Sequence, residues 1–371
     1  MPRTLFKLGK IRVEIDGDHS IVELVCRELA PCTVDDATSD IRFILTERAL
    51  PDIPRDAKSI GSVFALPDRV WIHWDAIGYR VLVSWAQNAK PKVNVQVQVL
   101  PVRRRLFIPT VVYRWRNWTY LSPLEQRAYS FINGVLESVL LFFGEGTGLL
   151  HASAVEREGQ AVLFPSTGGT GKTTLSLLLV KRHGFKYLAD DIALVTADGQ
   201  VHLYPRYIMI YAYSLQGFND IERLFLQKRN LGDRIHWVFM KRMRGPKGVR
   251  RRVSPTELYG RNIATTAPIH RVLFLVRYPG DEFRKVEVSP AELAKMSSQI
   301  ILCEYSFYIS YLRYWEATGH APLNVNELQV RMSDLYKQAF AHALECAVIH
   351  ILFGATPHML ERYITGVLKD D

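Results

Sequence analysis

An α/β fold is what this 371-residue chain predicts: a P-loop nucleotide domain preceded by a smaller β-rich domain and ending in C-terminal helices. A glycine-rich loop lies between an apolar run and a helix, an acidic pair follows that helix directly, and short β-branched and aromatic runs fill the region upstream. Those runs place the domain boundary near residue 121, giving 1–121 as the β-rich part and 122–371 as the nucleotide-binding part.

In the first part, Ile41 to Leu45, Val70 to Trp74, Arg80 to Trp85 and Val93 to Leu100 read as strands separated by Pro, Gly and Asp. No catalytic constellation occurs there, which leaves it as a surface for a substrate or an anionic partner. Ser122-Pro123-Leu124-Glu125 reads as a capped helix start, with an apolar body running to Phe143 and a stop at Gly144.

Next comes Leu149-Leu150-His151-Ala152-Ser153-Ala154-Val155, an apolar strand interrupted by a histidine, and then a hairpin-like Glu156-Arg157-Glu158-Gly159. A lone histidine in such a strand is more often a hydrogen-bonded core residue than a chemical one. Here it precedes a phosphate-binding loop, where it would tune a base or steady a transferred group.

That loop is Ser166-Thr167-Gly168-Gly169-Thr170-Gly171-Lys172-Thr173-Thr174, set between the strand-like Ala161 to Pro165 and an amphipathic helix from Thr174 to Arg182. Glycines let successive backbone N–H groups turn inward around a phosphate, and the helix N-terminus adds its positive dipole end. Lys172 supplies a point charge and Thr173 a hydroxyl for a magnesium ion, so Thr167 to Thr174 are the expected phosphate-binding residues. The usual motif has glycine where this chain has Ser166. The loop then requires either negative φ at Ser166 or unusual dihedrals at Gly168 and Gly169.

The strand Lys186-Tyr187-Leu188-Ala189 ends in Asp190-Asp191, close behind the P-loop helix. Paired carboxylates suit phosphoryl transfer to a hydroxyl, because one can hold the metal while the other accepts the proton. Consecutive strand residues point to opposite faces, so both can serve one site only if the strand ends there. Which of the two plays which part stays open on residue types alone.

Beyond Val195, Asp198-Gly199 marks a hairpin turn. An apolar strand ends at Arg277, and Ser289-Pro290-Ala291-Glu292-Leu293 starts a helix. From Asn324 to Phe353 the spacing of Leu328, Leu335, Phe340, Leu344 and Val348 is helical, predicting a C-terminal helix pair.

The order His151, then Ser-x-Gly-Gly-x-Gly-Lys-Thr, then a helix, then Leu-Ala-Asp-Asp resembles the catalytic domain of HPr kinase/phosphorylase and its HPr-kinase-like relatives, within the phosphoenolpyruvate-carboxykinase-like P-loop fold. The resemblance covers Leu149 to Val195 and continues more loosely from Pro268 to Leu293. It implies an ATP-dependent kinase using ATP or another nucleoside di- or triphosphate and Mg2+. Gly168 to Lys172 would bind the β-phosphate, Thr173 and Asp191 would serve the metal, Asp190 or Asp191 would be the base, and His151 would assist beside Lys172. Assembly into homo-oligomers is also implied. Where HPr kinases have a Glu-x-Arg-Gly segment, this chain reads Leu203-Tyr204-Pro205-Arg206-Tyr207-Ile208, while Arg261-Asn262, inside a charged loop, is only a short match to the Gly-Arg-Asn of their C-terminal loop. The acceptor is therefore left open: a protein or peptide serine, or a small molecule.

Composition sets the wider bounds. At 48% hydrophobic and 23% charged, the chain can bury a sizeable core. No apolar leader follows Met1-Pro2-Arg3 and no apolar stretch is long enough to span a bilayer, so neither secretion nor a membrane partner is expected. Cys26, Cys32, Cys303 and Cys346 lack metal-site spacing, and a reducing cytoplasm is the simplest compartment.

The net charge of +10 is concentrated. Arg103, Arg104, Arg105, Arg114 and Arg116 interleave with Phe107, Tyr113, Trp115, Trp118 and Tyr120, while Lys241 to Arg252 reads as a basic, flexible loop. Basic residues among aromatics suit a polyanion such as RNA, and an RNA hydroxyl is a second candidate acceptor. A third reading is a nucleotide-dependent regulatory protein with weak hydrolysis.

Overall fold

Strict alternation builds the first sheet. Val93-Asn94-Val95-Gln96-Val97-Gln98-Val99 buries each valine and leaves each polar residue half-exposed, the period-two signature of a strand with one face in the core. In this computed structural model, which describes residues 3–36, 38–86, 91–101 and 109–369, that strand is central to a sheet of eight. The order is Thr4–Leu8, Ile11–Gly17, Ile41–Thr46, Val93–Val99, Tyr79–Trp85, Arg69–Trp74, Val63–Leu66 and Lys58–Ile60. Ile11–Gly17, Ile41–Thr46 and Val93–Val99 run parallel, with the helix Ile21–Leu29 in the first crossover, and the remaining pairs are antiparallel. The strands expected from composition are present. Arg103, Arg104, Arg105 and Phe107 lie outside the described residues.

Ser122 caps the next helix by a reciprocal pair of bonds with Glu125, and Pro123 opens it. After Ser130 the helix widens into a π-helical segment, Phe131–Leu136, and returns to α over Glu137–Phe143. Phe131 is fully buried, its ring 5.6 Å from Phe43 and 6.3 Å from Tyr79, so this helix packs on the first sheet. Lys10 N–H donates to Thr147 Oγ1 at 2.9 Å, tying the first hairpin to the start of the second sheet.

The second sheet has nine strands. Its organiser is Thr266–Tyr278, a 13-residue strand. The carboxyl half of this strand runs parallel to Glu345–Leu352, its middle parallel to Gln160–Pro165, and its start is antiparallel to Gln200–His202. Lys186–Ala189 and Ala152–Arg157 extend the sheet on the side of Gln160–Pro165, and Ala193–Thr196 and Thr147–Leu150 on the other. Asp198-Gly199 forms the expected hairpin turn, with Gly199 at φ 72°. Pro165 thus ends its strand beside the continuing long strand, and the loop that follows opens at the carboxyl edge of parallel strands, where such folds bind ligands.

Three expectations are corrected. Helical spacing from Asn324 to Phe353 holds only for Val325–Phe340; Glu345–Leu352 is a strand, and Leu344 is exposed between them. A short run of β-branched residues such as Val348, Ile349 and Ile351 satisfies either period, and pairing with the long strand decides it. The helix after the glycine-rich loop, Lys172–Arg182, is not amphipathic, since Leu175, Ser176, Leu177, Leu178, Leu179 and Val180 are all buried. Finally, Lys241 to Arg252 is no loose loop: it contains the end of the helix Leu231–Arg244, a single tight turn and the start of the strand Arg250–Val253. Arg251 is buried there against Asp233, Nε to Oδ1 2.6 Å, with a further bond from Nη1 to Trp118 O. Burial of an arginine requires such a partner.

Candidate active site

The glycine-rich loop is shaped by positive φ at Gly169 (79°) and Gly171 (99°), while Ser166 keeps negative φ. Ser166 is completely buried; its hydroxyl bonds Thr170 Oγ1 and Thr167 O, so the residue that departs from the usual motif braces the loop from within. A Cβ built on Gly168 or Gly169 would meet nothing within 4 Å, so the loop's outer side faces open space. A cradle of this kind fits a phosphate.

Lys172 begins the helix and is buried, its Nζ donating to Ser166 O and Thr167 O at 3.1 Å each. An ammonium has three protons, which leaves one for a further acceptor. Burial pulls the Lys172 pKa down, with Asp191, Asp190 and Glu304 acting in the opposite sense. Arg277, at the end of the long strand, donates from Nε to Gly169 O at 3.1 Å and so stands at the loop's rim.

Both acids converge on this loop because their strand ends. Lys186–Ala189 stops, Ile192 N–H donates back to Asp190 O at 2.8 Å, and Asp191 in between takes φ 66°. Left-handed backbone at a non-glycine residue costs on the order of 1–3 kcal/mol and collects at functional sites. The tight turn removes the opposite-face restriction of a continuing strand.

The two carboxylates then sit in different surroundings. Asp190 is buried; Ser153 Oγ donates to its Oδ1 at 2.6 Å, and Thr173 Oγ1 lies 3.1 and 3.0 Å from its two oxygens. Burial raises its pKa, with the neighbouring Asp191 adding to the rise, and the hydroxyl bonds offset this only in part. Asp191 has 51% of its side chain exposed, with Oδ2 2.8 Å from Arg206 Nη1 and Oδ1 3.0 Å from His151 Nε2. Although desolvation by the surrounding protein pushes its pKa up, Arg206, His151 and Lys172 outweigh this and hold it below the usual carboxylate range.

His151 falls at the break between Thr147–Leu150 and Ala152–Arg157. Its Nδ1 faces Glu304 at 3.7 Å, at the end of the helix Pro290–Glu304, so the ring lies between two acids. Behind Asp191 runs a buried polar chain. Arg206 Nε donates to Asn133 Oδ1 at 2.9 Å and lies 3.4 Å from Glu137 Oε1, and the fully buried Glu137 accepts from Tyr204 OH at 3.0 Å and from Tyr305 OH. Burial raises the Glu137 pKa, against the pull of Arg206 and the tyrosines.

His151, Lys172, Thr173, Asp190 and Asp191 are therefore brought together, with Thr167, Gly168, Gly169, Thr170 and Gly171 as the loop beside them and Thr174 buried in the helix behind it. Thr173, expected to serve the metal together with Asp191, has its hydroxyl on Asp190. Arg206, Ser153 and Glu304 were not singled out from the sequence. The signal for Arg206 was a lone cation in the largely apolar Leu203–Tyr211 segment, since a buried charge needs a partner.

Among the described residues no group of three or more His, Cys, Asp or Glu side chains is arranged to hold a metal ion. Magnesium beside a nucleotide needs no such cage, because one or two protein oxygens and the phosphates complete its shell. Thr173 Oγ1 and Asp190 fit that requirement.

No family model matches the chain, and no curated protein matches it. Among solved structures, the HPr(Ser) kinase/phosphatase from Coxiella burnetii aligns with 60% of this chain and 96% of its own, at 12% identity and a TM-score of 0.28. A likeness of that size decides nothing about chemistry. What stands on the chain's own structure is a mixed α/β protein with two large sheets, C-terminal helices and, among the described residues, no helix long and apolar enough to cross a membrane.

Proposed function

We propose that this chain is a phosphotransferase that moves the terminal phosphoryl group of ATP, or of another nucleoside triphosphate, to a hydroxyl acceptor. One observation carries the reading: two adjacent acids beside the lysine of the glycine-rich loop are held in unlike environments, one buried on the Thr173 hydroxyl and the other half-exposed between Arg206 and His151.

In this reading the inward N–H groups of Gly168 to Lys172 and the Lys172 ammonium bind the donor's phosphates, with Arg277 at the rim. Thr173 and Asp190 are the residues that would hold magnesium, which supplies charge neutralisation at the phosphates when bound. Asp191 faces the acceptor. It orients the hydroxyl and accepts its proton as the acceptor oxygen bonds to phosphorus and the bond to the leaving diphosphate oxygen breaks. Arg206 and His151 hold that carboxylate in place.

The experiment is incubation of the protein with γ-labelled ATP, magnesium and a lysate split into protein, RNA and small-molecule fractions, with Asp191→Asn as control. Label entering one fraction only with the unaltered chain supports transfer and names the acceptor class. Label released solely as free phosphate, or nowhere, overturns it.

A further inference from the structure

The helix Leu231–Arg244 buries Asp233, His236, Trp237 and Met240 and turns its other side outward. On that outer side Leu231, Ile235, Val238, Phe239 and Met243 recur at helical spacing, with exposures from 50% (Ile235, Phe239) to 71% (Leu231). The neighbouring helix Thr110–Arg116 continues the surface: Trp115 is exposed, its ring 6.4 Å from Phe239, and His236 bonds Trp115 O at 2.9 Å. Exposed Trp118 follows, with the guanidinium groups of Arg244 and Arg250 at 5.4 and 5.9 Å from its ring. An apolar face of this extent on a folded chain marks a contact surface.

Its charge is one-sided. Arg116, Arg234, Arg242, Arg244 and Lys247 are exposed around the stripe, and none has a carboxylate within ion-pair distance among the described residues. Across residues 109–120 and 231–252 the sole acid is Asp233, buried on Arg251.

We propose that this face binds the surface of an anionic lipid bilayer, the stripe entering the headgroup boundary and the cations meeting lipid phosphates. Aliphatic side chains more than half exposed stand proud of the surface, as insertion requires, and do not line a groove for a peptide. Tryptophans beside them have the amphipathic ring that settles at headgroup depth. A symmetric second copy would set these cations against themselves. Single-stranded RNA would use the arginines and Trp118 but gain nothing from Leu231, Val238 and Met243. The expectation of no membrane partner rested on the lack of a spanning run, and surface binding needs none.

The test is co-sedimentation of the full chain with vesicles of phosphatidylcholine alone and of equal parts phosphatidylcholine and phosphatidylglycerol, in low and high salt. Pelleting with the anionic vesicles only, weakened by salt and accompanied by a blue shift of tryptophan emission, is expected. Val238→Glu with Phe239→Glu should abolish it, and Arg242→Gln and Lys247→Gln should each weaken it about fivefold at low salt. All these residues are exposed, so the variants should keep the thermal midpoint of the parent. Failure to pellet with anionic vesicles overturns the proposal, as does unchanged pelleting of the Val238/Phe239 variant. A doubled mass in solution, or retained nucleic acid, that the same variant abolishes would assign the face to a second copy or to RNA instead.

Discussion

Arg206 Nη1 stands 2.8 Å from Asp191 Oδ2, and the same guanidinium lies 3.4 Å from the fully buried Glu137. One cation therefore serves two acids, one half-exposed and one in the core behind it. Arg206→Gln should raise the Asp191 pKa, lower transfer, and leave Glu137 uncompensated at a cost of about 3 kcal/mol or more. Denaturant midpoints and labelled-phosphate transfer measure the two effects separately. Arg206→Lys should restore part of the stability but less of the transfer, because lysine lacks the fork that reaches Asp191 and Asn133 together. Full activity in Arg206→Gln would remove Arg206 from the site.

Lys172→Ala deletes the charge that the loop holds on Ser166 O and Thr167 O. Transfer should fall by about 10² or more, with weaker nucleotide binding in a titration. Unaltered turnover would show that this loop is not where the chemistry occurs.

Asp190→Asn and Asp191→Asn should each retain part of the nucleotide affinity while lowering transfer by about 10² or more. If both variants match the parent in binding and in rate, the acidic pair has no chemical role. His151→Ala, which removes the ring 3.0 Å from Asp191, should reduce transfer by about tenfold. A smaller loss would make it a core residue held by two acids.

The pH profile follows from the unlike acids. Asp191 stays ionised throughout the neutral range, whereas Asp190 ionises above the ordinary aspartate value because it is buried. Transfer should rise with pH along an acid limb belonging to the coupled pair. In the residual activity of Asp190→Asn that limb should move to lower pH. An unmoved limb would assign it to another group.

Glu28 is buried in the helix Ile21–Leu29 and has no part in the proposed chemistry. Burial pushes its pKa up to about 8 from 4.5, so between those values the folded chain keeps a proton that the unfolded chain has lost. Stability therefore falls as pH rises through that window. Glu28→Gln should raise the melting temperature by a few degrees at pH 8, with the gain vanishing near pH 4.5. A gain independent of pH would mean that packing, not ionisation, sets the effect.

Residues close in the chain determined much of this protein by themselves. Glycine at 169 and 171 and serine at 122 each impose a local conformation that no distant contact is needed to explain, and alternation in Val93–Val99 fixes which face is buried. Asp190 and Asp191 were legible as a pair close behind the glycine-rich loop for the same reason.

Tertiary structure decided the rest. Thr173 meets Asp190 and not Asp191 because the strand ends in a turn with φ 66°, a backbone choice that neither side chain dictates. Residues 345–352 became a strand because Thr266–Tyr278 offered a parallel partner, although their spacing also suited a helix. Arg206 finds Asp191, Asn133 and Glu137, and Arg251 finds Asp233, only once segments distant in sequence pack together. The low dielectric of a packed interior makes an unpaired charge costly, so partners are chosen by the whole fold, while a turn or a cap is chosen by its neighbours in the chain.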